Sequence, residues 1–147
     1  MSYLIDDTKT PSGFPDYVTN VRHDSSLGTV PWDLNRIVAR HVRGQGDDID
    51  PKNVPYASVK DEVGKIPGWK PLSANVADWL MQNPDKYPLE WEGKCICFFA
   101  TEVDTIHPDT GVVMLSKQKD EQGISKNIMF ASNSVSYNVY VAMIRVY

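Results

Sequence analysis

The spacing of apolar positions changes character part-way along this chain. From Pro31 to Arg43, PWDLNRIVARHVR, Leu34, Ile37, Val38, His41 and Val42 recur at helical spacing. This predicts an amphipathic helix, with Pro31 in its first turn, Asp33 near its positive end, Arg40 and Arg43 near its negative end, and Gly44 ending it. Tyr56 to Lys65 places Val59, Val63 and Ile66 at the same spacing before Pro67-Gly68, a second, shorter helix. Ser73 is a natural N-cap for a third, Ala74 to Gln82, with Val76, Trp79 and Leu80 on its apolar face and Asn83-Pro84 as its stop.

Beyond Lys94 the period becomes strand-like. Four strands are predicted, 94–103, 111–117, 124–131 and 135–147, joined by the turn-forming stretches 107–111, 120–123 and 132–134. Connections this short predict an antiparallel meander. Residues before Thr29 are punctuated by Pro11, Gly13, Pro15 and Gly28 and read as coil with one short strand near Tyr17 to Val21. Helices first and strands afterwards give an α+β domain: an N-terminal coil and two to three helices packed on one face of a C-terminal four-stranded antiparallel meander.

Two strands carry more information than the rest. Trp91 to Val103, WEGKCICFFATEV, is apolar on both faces and should lie centrally in the sheet, entered through an irregular corner at 86–92 that seals the sheet edge. In the last strand Tyr137, Val139, Val141 and Met143 alternate with Tyr140, Ala142, Ile144 and Val146, so both faces need cover. One face should meet the helices. The other should meet the N-terminal coil or another chain, with Tyr137 and Tyr140 as the expected contacts of a protein partner or a second copy.

With 147 residues, 41% hydrophobic and 23% charged, the chain fits one globular domain. A net charge of -4 gives no electrostatic footprint for nucleic acid. The acidic start lacks the pattern of a secretory signal. The longest apolar run, Cys95 to Ala100, falls short of the roughly 20 residues of a membrane-spanning helix. The expectation is a soluble protein with no membrane partner, located in a bacterial cytoplasm or in a virion.

Candidate chemistry is sparse. Cys95, Cys97 and His107 supply soft ligands but not a full tetrahedral set for zinc, so neither metal nor cofactor is expected and the thiols read as free packing atoms. The same three residues are the candidates for a Cys-His catalytic site. The loop at 46–50 superficially follows a calcium loop, but Lys52 stands at a ligand position. Arg36, Arg40 and Arg43 line one face of the first predicted helix and suit phosphate or a partner's carboxylates, although Asp33, Asp47, Asp48 and Asp50 are positioned to neutralise them. No Walker loop, G-x-S-x-G, G-x-G-x-x-G or H-E-x-x-H pattern is present.

Pro88, Trp91, Gly93-Lys94, Ile96, Phe98 and Thr101 resemble a pattern, P-x-x-W-x-G-K-x-I-x-F-x-x-T, of small bacterial and phage proteins of no known activity. The resemblance implies a bacterial or phage origin and carries no functional residues. The sequence thus leans away from an enzyme and towards an interaction or structural module, a virion component or a regulator of a host protein, acting through an apolar sheet face. A small hydrolase or transferase built on Cys95, Cys97 or His107 is the alternative.

Overall fold

The computed structural model describes residues 3–41, 53–54, 56–106, 109–119, 123–131, 135–136 and 139–146. His107, Arg43, Tyr137 and the acidic loop at 46–50 lie outside them. The domain is α+β, but strands span the whole chain: β1 (Tyr3–Asp6), β2 (Val18–His23), β3 (Thr29–Trp32), β4 (Ile37–His41) and β5 (Asn53–Val54) precede α1 (Tyr56–Gly64). Then come β6 (Trp69–Pro71), α2 (Ala74–Gln82), two 3-10 turns at Pro84–Lys86 and Leu89–Trp91, and β7 (Cys95–Thr105), β8 (Thr110–Ser116), β9 (Ser125–Phe130), β10 (Val135–Ser136) and β11 (Val139–Arg145).

The helix expected over 31–43 is replaced by β3, a turn and β4. Asp33 makes the turn: its carboxylate accepts from Asn35 N–H at 2.9 Å and its carbonyl from Arg36 and Ile37 N–H at 2.9 and 3.0 Å. Such local bonding offers the backbone an alternative to helix. β4 then pairs with β11 over five residues, so Ile37 is buried while its neighbour Val38 is 41% exposed. A period-two placement suits β-branched Ile37 and Val38 better than a shared helical face. Pro31 is tolerated in β3 because that strand pairs only with β1, leaving its other edge without a need for an N–H.

The meander holds for β7, β8 and β9 only. β11 does not continue beside β9; it runs parallel to β7 on the opposite side, Val139 to Val141 against Cys95 to Cys97. The main sheet is therefore mixed, in the order β4-β11-β7-β8-β9, with β2 also on β7 and β6 also on β11. A strand apolar on both faces gains most from this central place.

Both faces of the sheet are covered by the chain itself. On one, α2, β1, β3, Tyr87 and Trp91 cover Ile96, Phe98, Val113, Leu115, Ala142 and Ile144. On the other, Tyr56, Val59 and Val63 of α1 cover Cys97, Phe99, Val112, Val141 and Met143. The helices thus take opposite faces and not the single face expected, and β7 is central as its double-sided apolarity requires. No helix among the described residues is long and apolar enough to cross a membrane.

β7 and β11 part after Cys97 and Val141, and Leu72 enters the gap. Its N–H donates to Ala142 O at 3.0 Å, and its carbonyl accepts from Ala100 N–H at 3.1 Å. Opposite β8, the pairing jumps from Phe98–Val113 to Glu102–Val112, so Phe99 to Thr101 bulge out of the ladder. The Leu72 side chain is fully buried in the α2-side core. Leu72→Ala is expected to cost about 2–5 kcal/mol in urea unfolding, because a cavity opens where two strands separate; a loss below about 1 kcal/mol would mean the gap closes without this side chain.

Candidate functional site

β4 is an edge strand among the described residues, bonded to β11 on one side only. Arg145 N–H donates to Arg36 O at 2.9 Å, and from that pair the antiparallel register makes 38 with 143 and 40 with 141 the hydrogen-bonded pairs. The N–H and C=O of Ala39 consequently point away from the sheet. Ala142, opposite Ala39, obeys the same alternation by sending its carbonyl the other way, to Leu72.

Beside this edge lies an open groove of about 450 Å³, with Ile37, Ala39 and Trp91 among its walls, Leu34 and Leu89 on its rim, and Glu90 and Lys94 as its charges. The local sequence builds it. Pro88, in extended geometry, leads into the 3-10 turn that swings Trp91 inward, where its ring meets Trp32 and Tyr87 edge-on at 5.9 and 5.8 Å. The same turn leaves Leu89 79% exposed. Gly93, at φ 79°, takes the left-handed backbone that sends the chain back into β7. Leu34 and Val38 are exposed as well, so exposed apolar side chains flank this strand edge on both sides of the groove.

The sequence-derived binding residues gather near this edge without forming a stripe. Arg36 flanks the strand and donates to Arg145 O at 2.8 Å; Arg40 is half exposed and stands 3.7 Å from Glu62 of α1. Its described partner is on α1; of the aspartates expected to neutralise it, Asp47, Asp48 and Asp50 lie outside the described residues. Tyr140 lies on the opposite, α2-side face, with Lys94 Nζ 4.7 Å above its ring and the His41 ring at 4.8 Å. Arg43 and Tyr137 fall outside the described residues.

Cys95 and Cys97 share the α1-side face, as their spacing predicts, and both are free thiols. Burial raises both thiols above their ordinary range, and Cys97 Sγ packs 3.7 Å from Met129 Sδ. Protonated, buried thiols are poor nucleophiles and ligands. Among the described residues no group of three or more His, Cys, Asp or Glu is arranged to hold a metal ion.

No family model, curated protein or solved structure matches the chain. Function has to be read from its own surface and polar clusters.

One polar cluster escaped the sequence reading. Ser73, recognised as the α2 N-cap, accepts from Asn75 N–H at 3.1 Å and donates to the buried Asp7 carboxylate. Asn75 Nδ2 donates to Lys9 O at 2.7 Å and reaches the same carboxylate oxygen at 3.3 Å. His23 Nε2 lies 2.8 Å from Asp7 O, which can only accept, so Nε2 donates; a neutral ring then accepts at Nδ1 from Thr101 Oγ1, 3.0 Å away. Thr101 Oγ1 in turn accepts from Ala74 N–H at 3.1 Å. Although Ser, His and Asp meet here, the serine proton goes to the aspartate and not to the histidine, so the group clamps the N-terminal arm to α2 and does not activate a nucleophile. Only the acidic N-terminus and the Ser73 cap were visible beforehand; their meeting depends on the fold.

Asp7 Oδ2 is buried without a hydrogen-bond partner among the described residues, and desolvation raises this carboxyl above its ordinary range against the lowering effect of Ser73 and Asn75. A raised folded-state value means the native state binds the proton more tightly, so this contribution to stability is complete below about pH 4 and declines as pH rises through the folded value. Asp7→Asn removes it. In urea titrations from acid to neutral pH, the stability of the native protein minus that of Asp7→Asn should fall as pH rises; a flat or rising difference would show that ionised Asp7 is not destabilising.

Proposed function

We propose that this domain is a non-enzymatic interaction module that accepts an extended segment of a partner protein on the edge of β4. The observation that carries the reading is the outward N–H and C=O of Ala39 set between exposed Val38, Leu34 and Leu89. Strand addition draws affinity from main-chain bonds and specificity from alternate side chains entering pockets, and β4 offers both. The apolar faces of β11, expected from sequence to do the docking, are occupied by the chain's own helices and N-terminal strands. Docking therefore moves from the face of the sheet to its edge.

Charge selects the kind of partner. Lys94 shares the groove with Glu90 and lies over the Tyr140 ring, and Arg40 stands beside Val38 on the other face, 3.7 Å from Glu62; each keeps spare N–H donors that a carboxylate on an incoming strand of alternating apolar and acidic residues would accept from. A second copy pairing through its own β4 about Ala39 would set Arg40 diagonal to Arg40 of that copy, which disfavours self-association. Such a docking edge would serve a virion component or a regulator of a host protein, the two roles expected from sequence.

Panning a library of short random peptides against the protein tests the reading. Enriched peptides should alternate apolar and acidic residues and should bind Ala39→Pro about tenfold more weakly, since the substitution removes an outward N–H while sparing the β4–β11 ladder. Circular dichroism of the variant should match the native protein. Enrichment of no peptide, or of peptides indifferent to Ala39→Pro, would sink the proposal.

A further inference from the structure

A second groove, separate from the β4 edge, lies where β3, β6 and the end of β11 meet. It holds about 420 Å³, within the usual range for small-ligand sites, and shares no lining residue with the first. Its floor includes Val30 and Ile144, both buried. Its polar lining is Arg36, Lys70, Ser26 and Thr29, with no carboxylate among the lining residues.

We propose that this groove binds a small amphiphilic anion, a carboxylate or phosphate monoester head on an apolar body. Acids outnumber bases in this chain, 19 to 15, and most of the described basic side chains lie against a carboxylate or an aromatic ring. Arg36 and Lys70 form no ion pair among the described residues, yet they line the same groove. Neither is loose. Arg36 is held by Arg145 O at 2.8 Å and Lys70 by Ser26 Oγ at 2.8 Å, which fixes each head and leaves further N–H donors for a ligand. Asp24 is close enough to feel the charge of Lys70 but does not form an ion pair with it; its carboxylate accepts from Ser26 N–H at 2.9 Å and is not among the groove's lining residues.

The division of the groove sets the ligand class. Two pre-positioned cations and two hydroxyls suit an oxyanion, in charge-assisted bonds stronger than neutral ones. A wholly inorganic anion would leave the apolar floor unused, and a neutral apolar molecule would leave the cations without a counter-charge. An anion with a short hydrocarbon body satisfies both.

The test is a titration of the native protein with octanoate, octyl phosphate, inorganic phosphate and octanol, followed through the methyl resonances of Val30 and Ile144 and by calorimetry. At least one of the two amphiphilic anions should shift those methyls saturably, inorganic phosphate should bind at least about tenfold more weakly, and octanol should not saturate. The tighter amphiphile identifies the head group, carboxylate or phosphate. Arg36→Gln and Lys70→Gln should each weaken binding by about tenfold or more. Saturation by octanol equal to that of the anions, undiminished binding in the double variant, or no saturable shift with either amphiphile would overturn the proposal. The methyl titration needs no variant, so a misfolded substitution does not protect the idea. Failure here would leave the β4 docking edge untouched, since that reading uses neither Lys70 nor this groove.

Discussion

The architecture depends on a parting of strands. β11 and β7 pair in parallel for three residues and then separate inside the core, where the carbonyl of Ala142 and the N–H of Ala100 would be left buried. A buried backbone group without a partner costs about 1–3 kcal/mol. Leu72 answers both groups at once, by its own N–H and C=O, and its side chain fills the space between the strands. One residue on the connection from β6 to α2 thereby ties two central strands to the start of a helix.

The bulge in β7 is the other half of this solution. With Phe99 to Thr101 looped out of the β8 ladder, the side-chain alternation shifts, so that Thr101 meets α2 and Glu102 meets α1. Thr101 accepts from the first N–H of α2 and supports His23, which holds the N-terminal arm. Glu102, nearly buried, accepts from Tyr56 Oη at 3.1 Å and pairs with Lys60 at 2.8 Å and, more distantly, Arg22 at 3.8 Å. Burial and the Glu102 charge together raise the Tyr56 phenol, so it remains a donor to that carboxylate. Each face of the sheet thus receives one polar fastening from consecutive residues, Thr101 at the end of the bulge and Glu102 where the ladder resumes.

What could be read beforehand follows the range of the interactions. The Ser73 cap, the Asn83 stop and the antiparallel succession of β7, β8 and β9 are decided over short stretches, and the sequence shows them. The fate of 31–43 is not local: its spacing fits a helix until the Asp33 turn and the demand of β11 for a neighbour are counted. Alternation along β11 likewise says that both faces are buried but not which strand lies beside it, since a hairpin to β9 and a crossover to β7 satisfy the same pattern. The candidate site suffered the same way. Arg36 and Arg40 belong to a strand and its approach where a helix was expected, Tyr140 packs on the α2-side face, and the exposed apolar side chains beside them are Leu34, Val38 and Leu89. The Pro88–Trp91 corner, expected to seal an edge, instead buries its tryptophan and presents its leucine beside one.

The two outer strands of the sheet are treated differently, and that contrast bears on function. β9 begins with exposed Ser125, Lys126 and Asn127, and Lys126 is bonded to Asp78 of α2 at 2.7 Å, which makes the start of that edge polar and partly engaged. Charged and polar residues of this kind are the usual protection against unwanted strand pairing. β4 has arginines near its ends, but between them it exposes Val38 next to an apolar groove. If general resistance to edge pairing were the only requirement on this chain, a polar residue at 38 would serve at no cost to the core, because that side chain reaches solvent. On the proposed reading, an edge left apolar at its centre and basic at its flanks is kept for a complementary acidic strand and set against a copy of itself.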